Sequence, residues 1–356
     1  MIHQYNMAFL AHLHAAIARE SLAEADAERA MTSILEGDVS TAQIASFLVA
    51  LKMKGETVDE IVGFARAMRR HSIPVHLEDL RAPLVDTAGT GGSEGPPTFN
   101  ISTVAAFVIA GAGVFVAKHG NRSISSLCGS ADVMEAFGVR IDLDASRIAA
   151  CIHEVGIGFL FAPALQPAMK HAQPARLELK TRTAFNLLGP LTNPAGARIQ
   201  LIGAPTLAGA ELMAKALARL DVDRALVVHG SDGLDEITTT GPTTAFEVRP
   251  GIVVEQTLDP SDFGLPHSDA KHLTGASKEE NCQMAKSVLE GATGAPRDIV
   301  VANAAAALWL AGQALDLNQA ARLAEYSIDS GAARRKLQAM VAVTKRLAES
   351  DTEPGR

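Results

Sequence analysis

Aromatic residues are scarce. They make up 4% of the 356 residues, with one Trp and two Tyr. Proteins that hold single strands of nucleic acid stack the bases on several exposed rings, and this chain has few to offer. Positive charge is also short. The 32 Lys and Arg are outnumbered by 40 Asp and Glu, giving a net charge of −8. That argues against a general nucleic-acid or membrane surface, so an anionic ligand must be met by basic side chains placed locally. Cysteines number three, Cys128, Cys151 and Cys282. An odd count without zinc-site spacing predicts reduced thiols in a cytoplasmic protein. No apolar run reads as a membrane span. Residues 302–315 are apolar but short and predict a buried helix. The N-terminus lacks a cleavable apolar core, so no signal peptide is expected.

Glycine is plentiful, at 29 residues, and its densest cluster is Asp86-Thr-Ala-Gly-Thr-Gly-Gly-Ser-Glu-Gly-Pro-Pro-Thr-Phe-Asn-Ile-Ser-Thr103. The apolar Leu84-Val85 leads in, and Val104, Phe107, Val108 and Gly111 follow at helical spacing. This reads as strand, Gly-rich loop, helix. Such a loop brings backbone N–H groups close to an anion, and a helix N-terminus adds positive dipole. Phosphate or pyrophosphate is the expected ligand, and an unliganded glycine turn is the plain alternative. Two familiar loops do not fit. Glu94 stands where a dinucleotide fingerprint needs its third glycine, and no Gly-Lys-Ser/Thr follows.

The length suggests two domains. The first 75 residues read as helical. Ser40-Thr-Ala-Gln43 and Thr57-Val-Asp-Glu60 fit the capping box, each followed by apolar residues at helical spacing. Beyond Leu84, candidate strands at 114–117, 157–161, 200–203, 225–229 and 244–248 alternate with helical patterns. Those lie at 131–137, 146–154, 207–220, 278–289, 297–311 and 332–349. The alternation predicts a mainly parallel sheet flanked by helices. A turn-rich run, 181–194, interrupts it, and the tail 350–356 reads as disordered.

Four further clusters carry chemistry. Ala117-Lys-His-Gly-Asn-Arg122 follows a candidate strand. Lys118 there suits a phosphate, and Asn121 and Arg122 suit a carboxylate or phosphate; a solvated basic turn is the alternative. In Ser125-Ser-Leu-Cys-Gly-Ser-Ala-Asp132, hydroxyls precede a helix and either take a phosphate or simply cap it. Cys128 has no base beside it and reads as a small buried residue. In Val228-His-Gly-Ser-Asp-Gly-Leu-Asp-Glu236, adjacent acids suit a hard cation such as Mg2+, and His229 reads as structural. In the stretch 167–194, either Arg176 or Arg182 suits a carboxylate, with surface ion pairing as the alternative.

In this order and together, these motifs closely resemble the anthranilate phosphoribosyltransferases of tryptophan biosynthesis, over almost the entire chain. The resemblance rests on Gly-Thr-Gly-Gly with Asn-Ile-Ser-Thr, Lys-His-Gly-Asn-Arg, Gly-Ser-Ala-Asp-Val, Arg-Thr-x-Phe-Asn-x-Leu-Gly-Pro-Leu-x-Asn-Pro and His-Gly-x-Asp-Gly-Leu-Asp-Glu. It implies an α/β protein in which a small N-terminal α-helical domain is hinged to a large α/β domain. The expected bounds are 1–78, joined by part of 175–195, and 79–356. It also implies a homodimer through the helical domains. Gly89, Thr90, Gly92, Asn100, Ser102, Thr103 and Lys118 would hold phosphoribosyl pyrophosphate. Asp235 and Glu236 would bind Mg2+, with Ser102 as a further ligand. Asn121 and Arg176 would position anthranilate, and His119 and Pro190 would line its route.

Four positions depart from the family pattern. Ser93 replaces the usual Asp in a loop one residue longer, and Gln166 replaces a histidine near the acceptor entrance. Lys180 replaces a glycine, and Cys128 a small hydroxyl residue. The first two bear on acceptor affinity and loop closure, not on the diphosphate or metal positions. The implied reaction is phosphoribosyl transfer to an aryl amine, with no side chain assigned as general base. A paralogue with another aromatic acceptor and a nucleic-acid-binding relative are the competing readings. The acid pair and the acidic composition weigh against the second.

Overall fold

The computed structural model describes residues 7–77, 79–92, 95, 97–122, 128–274 and 277–349. The expectations for Ser93, Ser125, Ser126 and the tail fall outside the described residues.

Four helices come first: α1 (Met7–Ile17), α2 (Glu24–Glu36), α3 (Thr41–Lys54) and α4 (Val58–Arg70). Both capping boxes form. The Ser40 hydroxyl accepts the Gln43 N–H, Thr57 accepts that of Glu60, and each partner side chain accepts in return. A left-handed Gly37 closes α2. The bundle core includes Phe9, Phe47 and Phe64 in edge-to-face contact, with successive centroids 5.3 and 6.1 Å apart. Glu60 does more than cap. Fully buried, it takes the Lys54 ammonium at 2.9 Å and the Leu22 N–H at 3.0 Å, tying the α1–α2 connection to α4.

The sheet has seven strands: β1 (Leu84–Gly89), β2 (Phe115–Gly120), β3 (Ile157–Phe161), β4 (Ile199–Gly203), β5 (Arg224–Gly230), β6 (Thr243–Arg249) and β7 (Ile252–Leu258). Their order is β3-β2-β1-β4-β5-β6-β7, with β1 to β5 parallel and the last two antiparallel. The connecting and flanking helices are α5 (Ile101–Gly111), α6 (Ser130–Ala136), α7 (Ala145–Val155), α8 (Ala162–Leu165), α9 (Gln173–Leu179), α10 (Ala184–Leu188), α11 (Leu207–Leu217), α12 (Lys278–Leu289), α13 (Ala295–Leu310), α14 (Leu317–Asp329) and α15 (Ala332–Glu349).

Most predicted elements appear within a few residues of their expected bounds. The apolar run at 302–315 needs correction at its end: α13 is buried but stops at Leu310, Gly312 turns the chain (φ 73°), and Leu315 is exposed. The short helices α8, α9 and α10, the strand β7 and the helix α14 were not anticipated. β7 pairs with β6 across a Pro250-Gly251 turn and is an exposed edge, so its residues lack a clean apolar alternation. The inner stripe of α14 is mostly alanine (Ala320, Ala321, Ala324), a weak apolar signal.

One face of the sheet packs on α5 and α13. The other carries α11, and its core runs on into the helical bundle. Ala172, Ala175, Ala184, Phe185, Leu188 and Leu191 also join that second core, so α9 and the turn-rich segment after it pack with the N-terminal helices. No helix among the described residues is long and apolar enough to cross a membrane.

Candidate active site

Strand order reverses between β1 and β4: chain order runs to β3 on one side and to β5 and beyond on the other. In open parallel sheets, ligands bind beyond the carboxyl ends of strands at this switch. Gly89 and Gly203 end the two strands and face each other in register. Asp235, from the loop after β5, lies over both. A Cβ on Gly89 would fall 2.6 Å from Asp235 Oδ2, and one on Gly203 would overlap the Asp235 carbonyl. Only glycine permits that approach. Gly91 and Gly92 follow with φ of 71°, and the Gly91 N–H donates to Asp235 Oδ2 at 2.9 Å.

The acid-bearing loop is braced by residues that the sequence reading passed over. Asp232 accepts the Leu234 N–H at 3.1 Å and the Thr238 and Thr240 hydroxyls at 2.5 and 2.6 Å. Asn303 of α13 brackets Ile237, accepting its N–H at 3.0 Å and donating to its carbonyl at 2.9 Å. A lone amide in a buried apolar helix was the available signal, since buried polar groups are bonded.

β2 runs three residues beyond its expected end, so Lys118 and His119 lie on the strand. The solvated-turn alternative therefore fails for Lys118, which is 2% exposed. Its ammonium donates to the Thr87 carbonyl and lies 3.4 Å from Ser102 Oγ. Burial pushes its pKa down, against the pull of Asp86 and Glu236. Asp86 was also missed. It accepts the His119 N–H at 3.1 Å and the Asn193 amide at 2.7 Å, and burial raises its pKa.

Ser102 and Glu236 meet, the Ser102 N–H donating to Glu236 Oε1 at 3.2 Å. Burial, then the neighbouring Asp235, pushes the Glu236 carboxyl up to about 8, and burial raises Asp235 as well. Two crowded carboxyls beside a hydroxyl form a hard oxygen donor set, the kind that divalent cations such as Mg2+ take. No group of three or more His, Cys, Asp or Glu forms a metal cluster among the described residues. At the start of α5, Asn100 Oδ1 and Thr103 Oγ1 are buried without partners, which suits a ligand at that helix terminus. Thr90 continues the β1 pairing, its N–H donating to the Gly203 carbonyl at 3.0 Å. The seven residues assigned to phosphoribosyl pyrophosphate thus line β1, the glycine loop, the α5 start and β2.

The acceptor positions lie along the adjoining turn-rich segment and the end of β2. His119 Nδ1 donates to the Gly189 carbonyl at 3.2 Å, beside Pro190, and its buried Nε2 has no partner. Burial holds the imidazole at about 4, hence neutral at pH 7. The unfolded chain, near 6.5, takes up the proton first. The stabilisation is complete above about pH 6.5 and is lost as pH falls towards 4, by up to about 3 kcal/mol. Urea unfolding at pH 7 and pH 4 should show that much more loss in the wild type than in His119→Gln. An equal loss in both would place the titration elsewhere.

Arg176 lays its guanidinium over the Phe185 ring, 5.2 Å from the centroid, and burial lowers its pKa. Asn121 is exposed at the end of β2, and no hydrogen bond joins it to Arg176. Arg122 forms an exposed ion pair with its own neighbours, Glu135 at 2.6 and 2.7 Å and Asp132 at 3.3 Å. Arg182 reaches the carbonyls of Gly91 and Gly92. His229 Nδ1 donates to the Ala204 carbonyl at 3.0 Å, a structural role as expected.

The chain matches the Glycosyl transferase family, a/b domain, over residues 81–334, and the helical bundle domain of the same family over 11–72. It is 59% identical over 334 residues to the anthranilate phosphoribosyltransferase of Solibacter usitatus, covering 94% of this chain and 98% of that one. The chain belongs to the anthranilate phosphoribosyltransferase family. Its relative from Moorella thermoacetica is 54% identical, over 93% of this chain and 97% of that protein. The crystal structure of anthranilate phosphoribosyltransferase from Thermus thermophilus superposes with a TM-score of 0.88 at 41% identity, over 94% of this chain and 99% of that one. The Saccharomyces cerevisiae enzyme, in complex with phosphoribosyl pyrophosphate and Mg, gives 0.86 at 27% identity, over 96% and 99%.

Three departures from the family pattern have a physical setting here. Gln166 is buried and donates to the carbonyl and hydroxyl of Thr192, at 3.2 and 3.0 Å, so it anchors the turn beyond Pro190. Lys180 ends α9 with φ of 45°, the left-handed region where glycine is at ease. Cys128 is buried, and burial pushes its thiol up to about 12, leaving it protonated.

Proposed function

We propose that this chain transfers the 5-phosphoribosyl group from phosphoribosyl pyrophosphate to the amine of anthranilate, releasing pyrophosphate, in tryptophan biosynthesis. The observation that carries the reading is the convergence of Lys118, Ser102 and the Asp235-Glu236 pair at the β1–β4 switch point. The activity named for its relatives supports the choice of acceptor.

Gly89, Thr90 and Gly92 offer close backbone to the diphosphate. Asn100, Ser102, Thr103 and Lys118 supply polar atoms and one positive charge. Ser102, Asp235 and Glu236 hold Mg2+, which when bound neutralises the departing pyrophosphate. Displacement at an anomeric carbon is loose, so the side chains mainly position and stabilise charge. His119, Asn121, Arg176 and Pro190 orient anthranilate. An aryl amine is neutral and nucleophilic at pH 7, and His119, neutral down to about pH 4, can accept an amine N–H through Nε2 without being a strong base. The helical domain of residues 1–78, with part of 175–195, would form the homodimer contact of a cytoplasmic enzyme. Packing of α9 and α10 against the bundle supports that domain division.

Arg176→Ala tests the acceptor assignment. Loss of a charge-assisted hydrogen bond should raise the anthranilate KM about ten- to a hundredfold and leave phosphoribosyl pyrophosphate binding, titrated alone, unchanged. An equal loss for both substrates would make Arg176 a structural or phosphate-side residue.

A further inference from the structure

Four residues strap the helical bundle to the glycine loop. Lys180 turns the chain sharply at the end of α9 by adopting a left-handed conformation. Thr181 then meets Lys52 of α3, whose ammonium donates to its hydroxyl. Arg182 reaches the other way, and its guanidinium donates to the Gly91 carbonyl, at 2.8 Å, and to that of Gly92. A Cβ on Gly92 would collide with this guanidinium, so that glycine leaves the room Arg182 fills. Thr183 begins α10, fixed by its N–H donating to Asn186 Oδ1 at 3.0 Å. α10 in turn leads to Gly189, whose carbonyl holds His119. Gly91 is therefore gripped at both ends, its carbonyl by Arg182 and its N–H by Asp235.

We infer that Arg182 is a positioning residue that sets the donor loop from the acceptor side of the site. A peptide unit is planar, with C=O and N–H pointing opposite ways. Fixing the Gly91 carbonyl therefore fixes the direction of the Gly92 N–H, on the same peptide unit. Both bonds come from Nη2, whose two N–H donors are held in the guanidinium plane, whereas a lysine ammonium turns freely on its stem. Arg182 belongs to the segment between Arg176 and Pro190, so whatever seats the acceptor also seats the loop that holds pyrophosphate. The inference rests on the phosphoribosyl-transfer reading.

The test compares wild type, Arg182→Ala and Arg182→Lys. Three quantities are measured: kcat and KM for each substrate, the Kd of phosphoribosyl pyrophosphate titrated with Mg2+ and no anthranilate, and Tm. Arg182→Ala should raise the Kd and KM for phosphoribosyl pyrophosphate about ten- to a hundredfold, since bonds to a charged donor are lost. The anthranilate KM should stay within about twofold, and Arg182→Lys should recover part of the donor affinity. A donor Kd within about twofold of wild type in both variants overturns the inference. So does an equal loss for both substrates with a lowered Tm, which would make Arg182 a fold residue. If Arg182→Ala does not fold, Arg182→Lys decides by the same split. Wild type that binds phosphoribosyl pyrophosphate but ignores anthranilate would count against the functional reading alone, because the titration still measures the grip of Arg182.

Discussion

Replacing Asp235 by Asn and Glu236 by Gln together should lower kcat/KM about a thousandfold or more and leave the fold intact. The fold survives because both amides keep an oxygen where the carboxylates accept the Gly91 and Ser102 N–H groups. What is lost is negative charge where a cation is needed. A thousandfold corresponds to about 4 kcal/mol of transition-state stabilisation, a modest share for a metal at a departing pyrophosphate. The acids also report on the cation before catalysis. With Glu236 near 8, its proton must leave when Mg2+ enters, so wild-type Mg2+ affinity should rise between pH 6.5 and 8.5. Steady-state rates with both substrates, and calorimetric titration of Mg2+ with phosphoribosyl pyrophosphate, measure the two effects. Near-normal turnover in a folded double variant would remove the metal assignment.

Lys118→Met should weaken use of phosphoribosyl pyrophosphate about a hundredfold or more, through kcat/KM. Methionine keeps most of the stem volume but removes the only charge that a 2% exposed lysine contributes between β1 and α5. The loss should reach stability too. Asp86 is the carboxylate that this ammonium chiefly supports, and a buried charge left without its partner costs about 3–5 kcal/mol unless it takes up a proton. A Tm deficit relative to wild type that shrinks as pH falls would show the Asp86 carboxyl neutralising in response. Titration of phosphoribosyl pyrophosphate alone separates the effects. Unchanged donor affinity would place Lys118 outside the binding site.

Local chemistry made part of this site legible. Ser40 and Thr57 announce their helices because a capping box lies within four residues. The glycines at 89–92 announce a close backbone approach because no other residue tolerates it. Long-range pairing was not legible. Asp86 acquires its role only from Asn193, 107 positions away, and from a neighbouring strand's His119. The burial of Lys118 was hidden because Lys-His looks like the polar end of a strand, yet the sheet continues to Gly120. Arg122 and Arg182 were equally plausible anion binders by residue type. Asp132 and Glu135, three apart at a helix start, capture the first, while side-chain direction sends the second to the glycine loop. Gln166 stood out as a departure from the family pattern, but its bonds to Thr192 depend on how two turns pack together.

The most direct measurement is the fluorescence of anthranilate incubated with the purified protein, phosphoribosyl pyrophosphate and Mg2+. The fluorescence should decay only when all three components are present, with one pyrophosphate released per anthranilate consumed. Stable anthranilate fluorescence under these conditions, with consumption of a different aromatic amine in its place, would contradict it.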